Sequence, residues 1–263
     1  MFGAIVLRDV PKKEARIDLV RFAIKGGFRG FSQVPPAAWH YVSVEAGGHQ
    51  VGFWCRLEPG EVVVKVFDPQ AGFQEAEADL AAQYQDLALS GSMGAALITY
   101  PAARFGPWFG LVNKIGPQPF PPPLHPEEEG PGSRFDKILR DTHGGDGHSL
   151  LAELQYAFLS WVVSLDGQAE DEAAFSRWKH IVLSAYNAGE DRIGQAGDLF
   201  PNLVDILMRQ YDLLPDDWFG GDSFLACGQA GYMSEDMIDT GLPAHEEQGR
   251  AWADYLKRRR AGE

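Results

Sequence analysis

Along the first 68 residues the apolar positions come in short runs broken by turn residues. Phe2–Leu7 is a run of strand formers. Glu14–Val20, Phe28–Val34, Trp39–Glu45, Gln50–Leu57 and Glu61–Asp68 follow, rich in β-branched and aromatic side chains. The breaks are Gly26-Gly27, Pro35-Pro36, Gly47-Gly48 and Pro59-Gly60, which punctuate strands because they favour tight turns. Six short strands with such connections predict an antiparallel sandwich or partly open barrel. The period then lengthens. Phe73–Leu89 places Ala76, Leu80, Tyr84, Leu87 and Ala88 at helical spacings, with acidic residues near its start. Phe105–Ile115 reads as a second short helix packed on the sheet.

Residues 116–132 hold seven prolines and three glycines, which exclude both a helix and a central strand. The stretch reads as a stiff, extended linker, and its composition favours a spacer over a docking ligand. Beyond Ser133 the period is helical throughout. Ser149–Leu165 aligns Leu150, Leu154, Phe158 and Trp161 on one face, with Asp146 or Ser149 as N-cap. Glu170–Asn187 aligns Phe175, Trp178, Val182 and Ala185, with Gly189 as its stop. Asp198–Tyr211 aligns Leu199, Leu203, Ile206 or Leu207, and Tyr211. Pro215 opens a further segment, and Pro243–Arg260 is a polar last helix. The expectation is an α+β chain in three parts: a β-rich domain at 1–115, a linker at 116–147, and an all-helical domain of five antiparallel helices at 148–263.

Composition narrows the function classes. The chain has 263 residues, 45% hydrophobic and 23% charged, which rules out disorder as the main state. No apolar run reaches the roughly 20 residues that cross a bilayer. Met1–Arg8 lacks a basic stretch followed by a long apolar one, so no secretory signal is expected. Two cysteines, Cys55 and Cys227, stand far apart, which disfavours a disulfide framework and fits a reducing compartment. Residues 1–120 carry 11 Lys+Arg and 11 Asp+Glu, so the whole net charge of -14 falls on the second half. That balance disfavours direct contact with nucleic-acid phosphates. It leaves open a basic protein partner, with solubility as the plainer account of any one acidic residue.

Candidate chemistry is sparse. There is no phosphate-binding Gly-rich loop and no nucleophile elbow; Ser90–Gly94 reads Ser-Gly-Ser-Met-Gly, out of register. His245-Glu246 lacks a second histidine four residues on. Asp141, His143, Asp146 and His148 crowd into eight residues, a donor set suited to zinc or another divalent metal. The same residues suit a Gly-rich loop leading into a helix cap, and that reading is preferred. His40 and His49 flank a hairpin and read as structural histidines. Cys55 needs a neighbouring base to act as a nucleophile and otherwise reads as a small buried hydrophobe. Lys257–Arg260 complements the dipole at a helix C-terminus. No catalytic, cofactor or metal set emerges, so a binding or assembly protein is expected rather than an enzyme.

The order of certain phrases resembles the A-one-cistron splicing factor family (AAR-two family). Its β domain carries an Ile-Asp-Leu strand, here Ile17-Asp18-Leu19. A Phe-[Lys/Arg]-Gly phrase ending in Pro-Pro follows, here Phe28-Arg29-Gly30 to Val34-Pro35-Pro36, and then a Gly-Phe strand, here Gly52-Phe53. Its helical domain opens on a Leu-Gly-Glu-Leu-Gln phrase, here Leu151-Ala152-Glu153-Leu154-Gln155. Phe175, Trp178 and Lys179 match a later one, as do Pro215, Asp217, Phe219 and Asp222–Leu225. In the family Gly and then His come soon after the Pro-Pro pair. Here Ala37, Ala38 and Trp39 precede His40, and the stretch between the domains is much shorter. The resemblance implies a non-catalytic assembly chaperone of the U-five small nuclear ribonucleoprotein. Its partner would be a large spliceosomal scaffold protein, with no cofactor, no direct nucleic acid and no membrane. A monomer in the cytoplasm is expected, and in the nucleus too if the source is eukaryotic. Aromatic side chains dominate binding hot spots, so Trp108, Phe109 and Phe120 are the candidate partner-binding residues, with core packing the preferred role for Trp108. The alternatives are a bacterial module of the same shape with an unrelated protein partner, and a metal-dependent enzyme using the Asp141–His148 loop.

Overall fold

The computed structural model describes residues 1–262 apart from Lys12, 117–130, Asp222, Ala226 and Cys227; for 131–133 it describes the backbone alone. Phe120, Cys227 and the proline-dense centre of the expected linker therefore lie outside the described residues. The chain is α+β and divides into two compact units, one of 1–109 with 163–170, the other of 110–162 with 171–263.

Among the described residues the first unit contains nine strands. These are β1 (Gly3–Arg8), β2 (Glu14–Ile17), β3 (Val20–Ala23), β4 (Gly30–Val34), β5 (Trp39–Ala46), β6 (His49–Arg56), β7 (Val62–Asp68), β8 (Gly72–Glu75) and, after helix α1 (Ala78–Leu89), β9 (Leu97–Thr99). A short 3₁₀ turn, Ala102–Arg104, leads into α2 (Phe105–Val112). One sheet runs β8-β7-β1-β4-β9 and the other β3-β2-β5-β6. Strand alternation explains why the first run of the chain is apolar throughout. Ile5 and Leu7 point into a core shared with Ala15, Ile17, Val42 and Val44 of the other sheet. Ala4 and Val6 point to the opposite face, where Val62, Val64 and Met93 form a second cluster with Ala81, Tyr84 and Ala88 of α1 packed against it.

Several elements differ from the expectation. The pairs β1·β7 and β4·β9 are parallel, not antiparallel. A parallel pair needs a long crossover, and here each crossover carries strands β5 and β6 of the second sheet. The run 14–20 is not one strand but the start of the hairpin β2–β3, turning at Asp18-Leu19. Both turn residues have left-handed φ, 51° and 66°, the geometry a tight two-residue hairpin demands and usually obtains from glycine. The β5–β6 hairpin turns at Gly47-Gly48, as the sequence predicts. The expected helix 73–89 begins late because Phe73 extends along β7 and packs on Phe53 and Phe67, at 4.8 and 5.4 Å between ring centres.

The second unit is helical. Helix α3 (Pro131–Lys137) continues into a π-helical turn, Ile138–Thr142. Then come α4 (Gly147–Ser164), α5 (Glu172–Tyr186), α6 (Glu190–Gln195), α7 (Leu199–Tyr211), a 3₁₀ turn at Asp216–Phe219, α8 (Gln229–Asp239) and α9 (Pro243–Ala261). The linker expected at 116–147 is thus helical over most of 131–147, because Phe135 and Ile138 are buried, with Phe135 5.1 Å from the ring of Phe200. Among the described residues, helices α3 and α6 are additions to the five expected, and the segment expected from Pro215 forms the 3₁₀ turn and α8. Gly189 does not stop α5; it precedes α6 with φ 81°. Asp171 caps α5 by accepting from the Ala174 amide at 2.9 Å. The core is aromatic. Trp161 stacks on Trp178 at 5.4 Å, with Phe158, Phe175, Trp218 and Phe224 around them. The Trp178 indole donates to Gln210 Oε1 at 2.9 Å, and Gln210 donates to the Leu154 carbonyl, so this buried amide is answered on both sides.

Gly30 sets the approach of β4 to β1. Its φ is 126°, and a Cβ there would lie 1.9 Å from the Ile5 carbonyl oxygen, a backbone atom that cannot move aside. Gly30→Ala is expected to cost more than about 3 kcal/mol, above the strain of a disfavoured φ alone. Urea unfolding followed by circular dichroism measures it.

Candidate functional site

In the first unit the β2–β3 turn, the Pro-Pro loop, β5 and the residue after β9 converge on one buried carboxylate. Asp18 accepts the Tyr41 amide at 3.1 Å and the Tyr100 hydroxyl at 2.8 Å, and pairs with His40 Nδ1 at 2.7 Å. The other ring nitrogen of His40 donates to the Pro35 carbonyl at 2.7 Å. Both side chains are fully buried. Burial pushes the Asp18 carboxyl above its usual range, against the pull of His40 and the two further donors. Burial likewise raises the Tyr100 phenol. Three phrases of the resemblance meet here or beside it. Asp18 is the centre of Ile-Asp-Leu and Pro35 begins Pro-Pro. At Gly52 a Cβ would strike the Tyr41 ring at 2.4–2.5 Å.

Cys55 sits opposite His40 in the β5–β6 ladder. With both imidazole nitrogens engaged, His40 has no free nitrogen to act as its base. Burial pushes the thiol far up, so Cys55 fills the core as a small apolar group. His49 donates through Nδ1 to the Gly167 carbonyl at 3.2 Å, and the Gln50 amide donates to the Asp166 carbonyl at 2.9 Å. The Asp166 carboxylate pairs with Arg16 and Arg21. Segment 163–170 therefore lies along β6, which is otherwise an edge strand of its sheet.

Of the candidate partner-binding residues, Trp108 is buried, 3% exposed. Its indole donates to the Trp39 carbonyl at 2.7 Å and stacks on Trp54 at 6.1 Å. Its ring packs within the first unit. Phe109 is 42% exposed, with Phe105 5.5 Å from its ring. Phe120 falls outside the described residues.

The fold takes the Asp141–His148 cluster apart. His143 turns inward, with Nδ1 2.8 Å from Ser149 Oγ and Nε2 2.7 Å from the Glu153 carboxylate. Arg177 grips the same carboxylate with two hydrogen bonds of 2.5 and 2.9 Å. Desolvation works against it, but the hydrogen bonds from His143 and Arg177 and the Arg177 charge hold Glu153 down at about 2. Asp146 accepts the His148 amide at 2.9 Å, as a residue at a helix start does, and the His148 side chain is exposed. Among the described residues no three His, Cys, Asp or Glu side chains gather in a way that suits a metal. The histidine–glutamate–arginine triad was not foreseen; the only signal for it is Glu153 recurring on the buried face of α4.

Lys257–Arg260 ends α9 against a left-handed Gly262, φ 72°. Arg259 donates to the Leu214 carbonyl at 2.7 Å and lies 4.4 Å over the Phe219 ring, so part of this basic run serves packing. Among the described residues no helix is long and apolar enough to cross a membrane.

Comparison with known families bears on the first unit directly. Residues 2–120 match the family model of the AAR2 N-terminal domain. The AAR2 family is thus supported over residues 2–120. The Asp18 network and both sheets fall inside the matched span, and the helical unit from 131 onward falls outside it. An AAR2 domain places the chain among splicing-related assembly factors. No curated protein matches the chain.

Two outcomes follow from the triad. His143→Ala is expected to lower stability by about 2–4 kcal/mol, since it uncovers a buried carboxylate, while His148→Ala changes it by less than about 0.5 kcal/mol. Equal effects, or an added stabilisation by zinc that both variants lose, would restore the metal reading. The sign of the pH effect is set by Glu153. Its depressed value means that its stabilisation is full above the ordinary glutamate range and fades as pH falls towards 2. It amounts to at most about 3 kcal/mol. Glu153→Gln is expected to flatten that acid limb in urea unfolding measured from pH 6 to pH 2.5.

Proposed function

We propose that this AAR2-family chain is a non-catalytic assembly factor that acts by holding a protein partner, and that the partner is a large spliceosomal scaffold protein. The match of residues 2–120 to the AAR2 N-terminal domain carries the reading. It is supported by the state of the reactive groups. The thiol that could serve as nucleophile is buried and raised, the nearest histidine spends both nitrogens on structure, and the paired histidines of 141–148 face different ways. A protein with these groups committed to packing acts through its surface. Cytoplasm, with nucleus in a eukaryotic cell, is the setting in which that partner is met.

The test is capture from lysate of the source organism with the tagged full-length chain, read by mass spectrometry. Recovery of one large spliceosomal scaffold protein is expected. Reproducible recovery of a different protein, with the scaffold protein missing, would leave a shared fold with another client. Phe109→Ala is expected to weaken capture about tenfold, a loss of roughly 1–2 kcal/mol for an exposed aromatic contact. Unchanged capture would remove Phe109 from the interface.

A further inference from the structure

Five non-glycine residues among those described have left-handed φ, and four of them lie at or beside the Asp18 network. Asp18 and Leu19 form its turn; Gln33 (53°) and Ala37 (61°) flank Pro35 two residues away on either side. Each such residue is disfavoured on its own and persists because surrounding contacts over-determine it.

The contacts that do so depend on one proton. The Pro35 carbonyl can only accept, so His40 Nε2 carries a hydrogen. The 2.7 Å link between His40 Nδ1 and Asp18 Oδ2 then needs one more proton, shared between them. Without it the Nδ1 lone pair faces a carboxylate oxygen in a site closed to water. The groups around the pair supply no substitute. Tyr41 offers its amide from β5, Tyr100 its hydroxyl from beyond β9, and Phe105 of α2 its ring, 6.5 Å from the imidazole. Cys55 faces from β6 as a neutral thiol, with Lys65, Glu61 and Glu75 acting on it from farther out.

We propose that the Asp18–His40 pair is a proton-held latch: with its shared proton it locks the β2–β3 hairpin and the 33–37 loop in their strained forms, and loss of that proton in mild alkali frees both. The sign agrees with burial, which makes the folded chain hold the carboxyl proton more tightly than an opened one. The latch is therefore closed in acid and opens as pH rises. In an opened chain histidine is half-protonated near 6.5, so above that value opening grows about tenfold per pH unit while the closed form keeps its proton.

Hydrogen exchange of the full chain from pH 6 to 9, corrected for intrinsic exchange rates, tests this. Peptides covering 14–24 and 30–41 are expected to open about tenfold more per pH unit over part of the range, while peptides from α7 stay level. In Asp18→Asn the new amide can donate to His40 Nδ1 and to Tyr100, keeping the links without a titrating proton, so both peptides should remain protected to pH 9. A flat profile in the natural chain overturns the latch, as does the same slope in the variant. Should the variant not fold, the His40 Nδ1 resonance of the natural chain decides. Because the closed form keeps its proton, the position of this resonance is expected to hold while its exchange with solvent, corrected for the intrinsic rate, quickens with pH; exchange that stays level overturns the proposal.

Discussion

A carboxylate removed from water must be met by donors, and in the first unit that requirement falls on Asp18. Four segments distant in sequence supply or hold its partners: the β2–β3 turn, the loop before β5, β5 itself and the residue after β9. None of them can shift alone without leaving a buried polar group unanswered. The strained turn at Asp18-Leu19, the left-handed Ala37 and the inward phenol of Tyr100 are consequences of that one demand. So is the chemical quiet of Cys55, since the histidine opposite it is already committed.

The helical unit solves the same problem with a different balance of charge. Glu153 faces inward from α4 and meets a guanidinium on one side and an imidazole on the other. Here the partners outweigh burial, and the carboxyl is held down; at Asp18 burial outweighs the partners, and the carboxyl is pushed up. The contrast rests on Arg177, a fixed cation with a forked geometry, for which a single histidine is no equal.

Much of this architecture is written in local pattern. Gly47-Gly48 announces its hairpin, the Leu150-Leu154-Phe158-Trp161 stripe announces its helix, and the ordered phrases announce the family. What pattern cannot show is pairing across long separations. Asp18-Leu19 does not look like a hairpin turn, because its left-handed angles are enforced by partners 22 and 82 residues away in the chain. The parallel pairs β1·β7 and β4·β9 leave no mark on alternation, which is the same in either direction. The short α6 and the largely polar α8 give weak periodic signals. Among the candidate contact residues, exposure separated Phe109 from Trp108, and two adjacent aromatic residues carry no sequence difference that would have done so.

Strand β1 precedes in the chain both strands that pair with it. It lies between β4 and β7, so its inner ladder waits until residue 68 has emerged. The flanking strand β9 arrives later still, and the stretch along β6 comes only with residues 163–170. Until β7 follows, one edge of this largely apolar strand has no partner, which is the feature that makes strands prone to wrong pairing. The strand order thus makes the pairing of β1 a matter of long-range closure, the kind of contact that forms slowly in a folding chain.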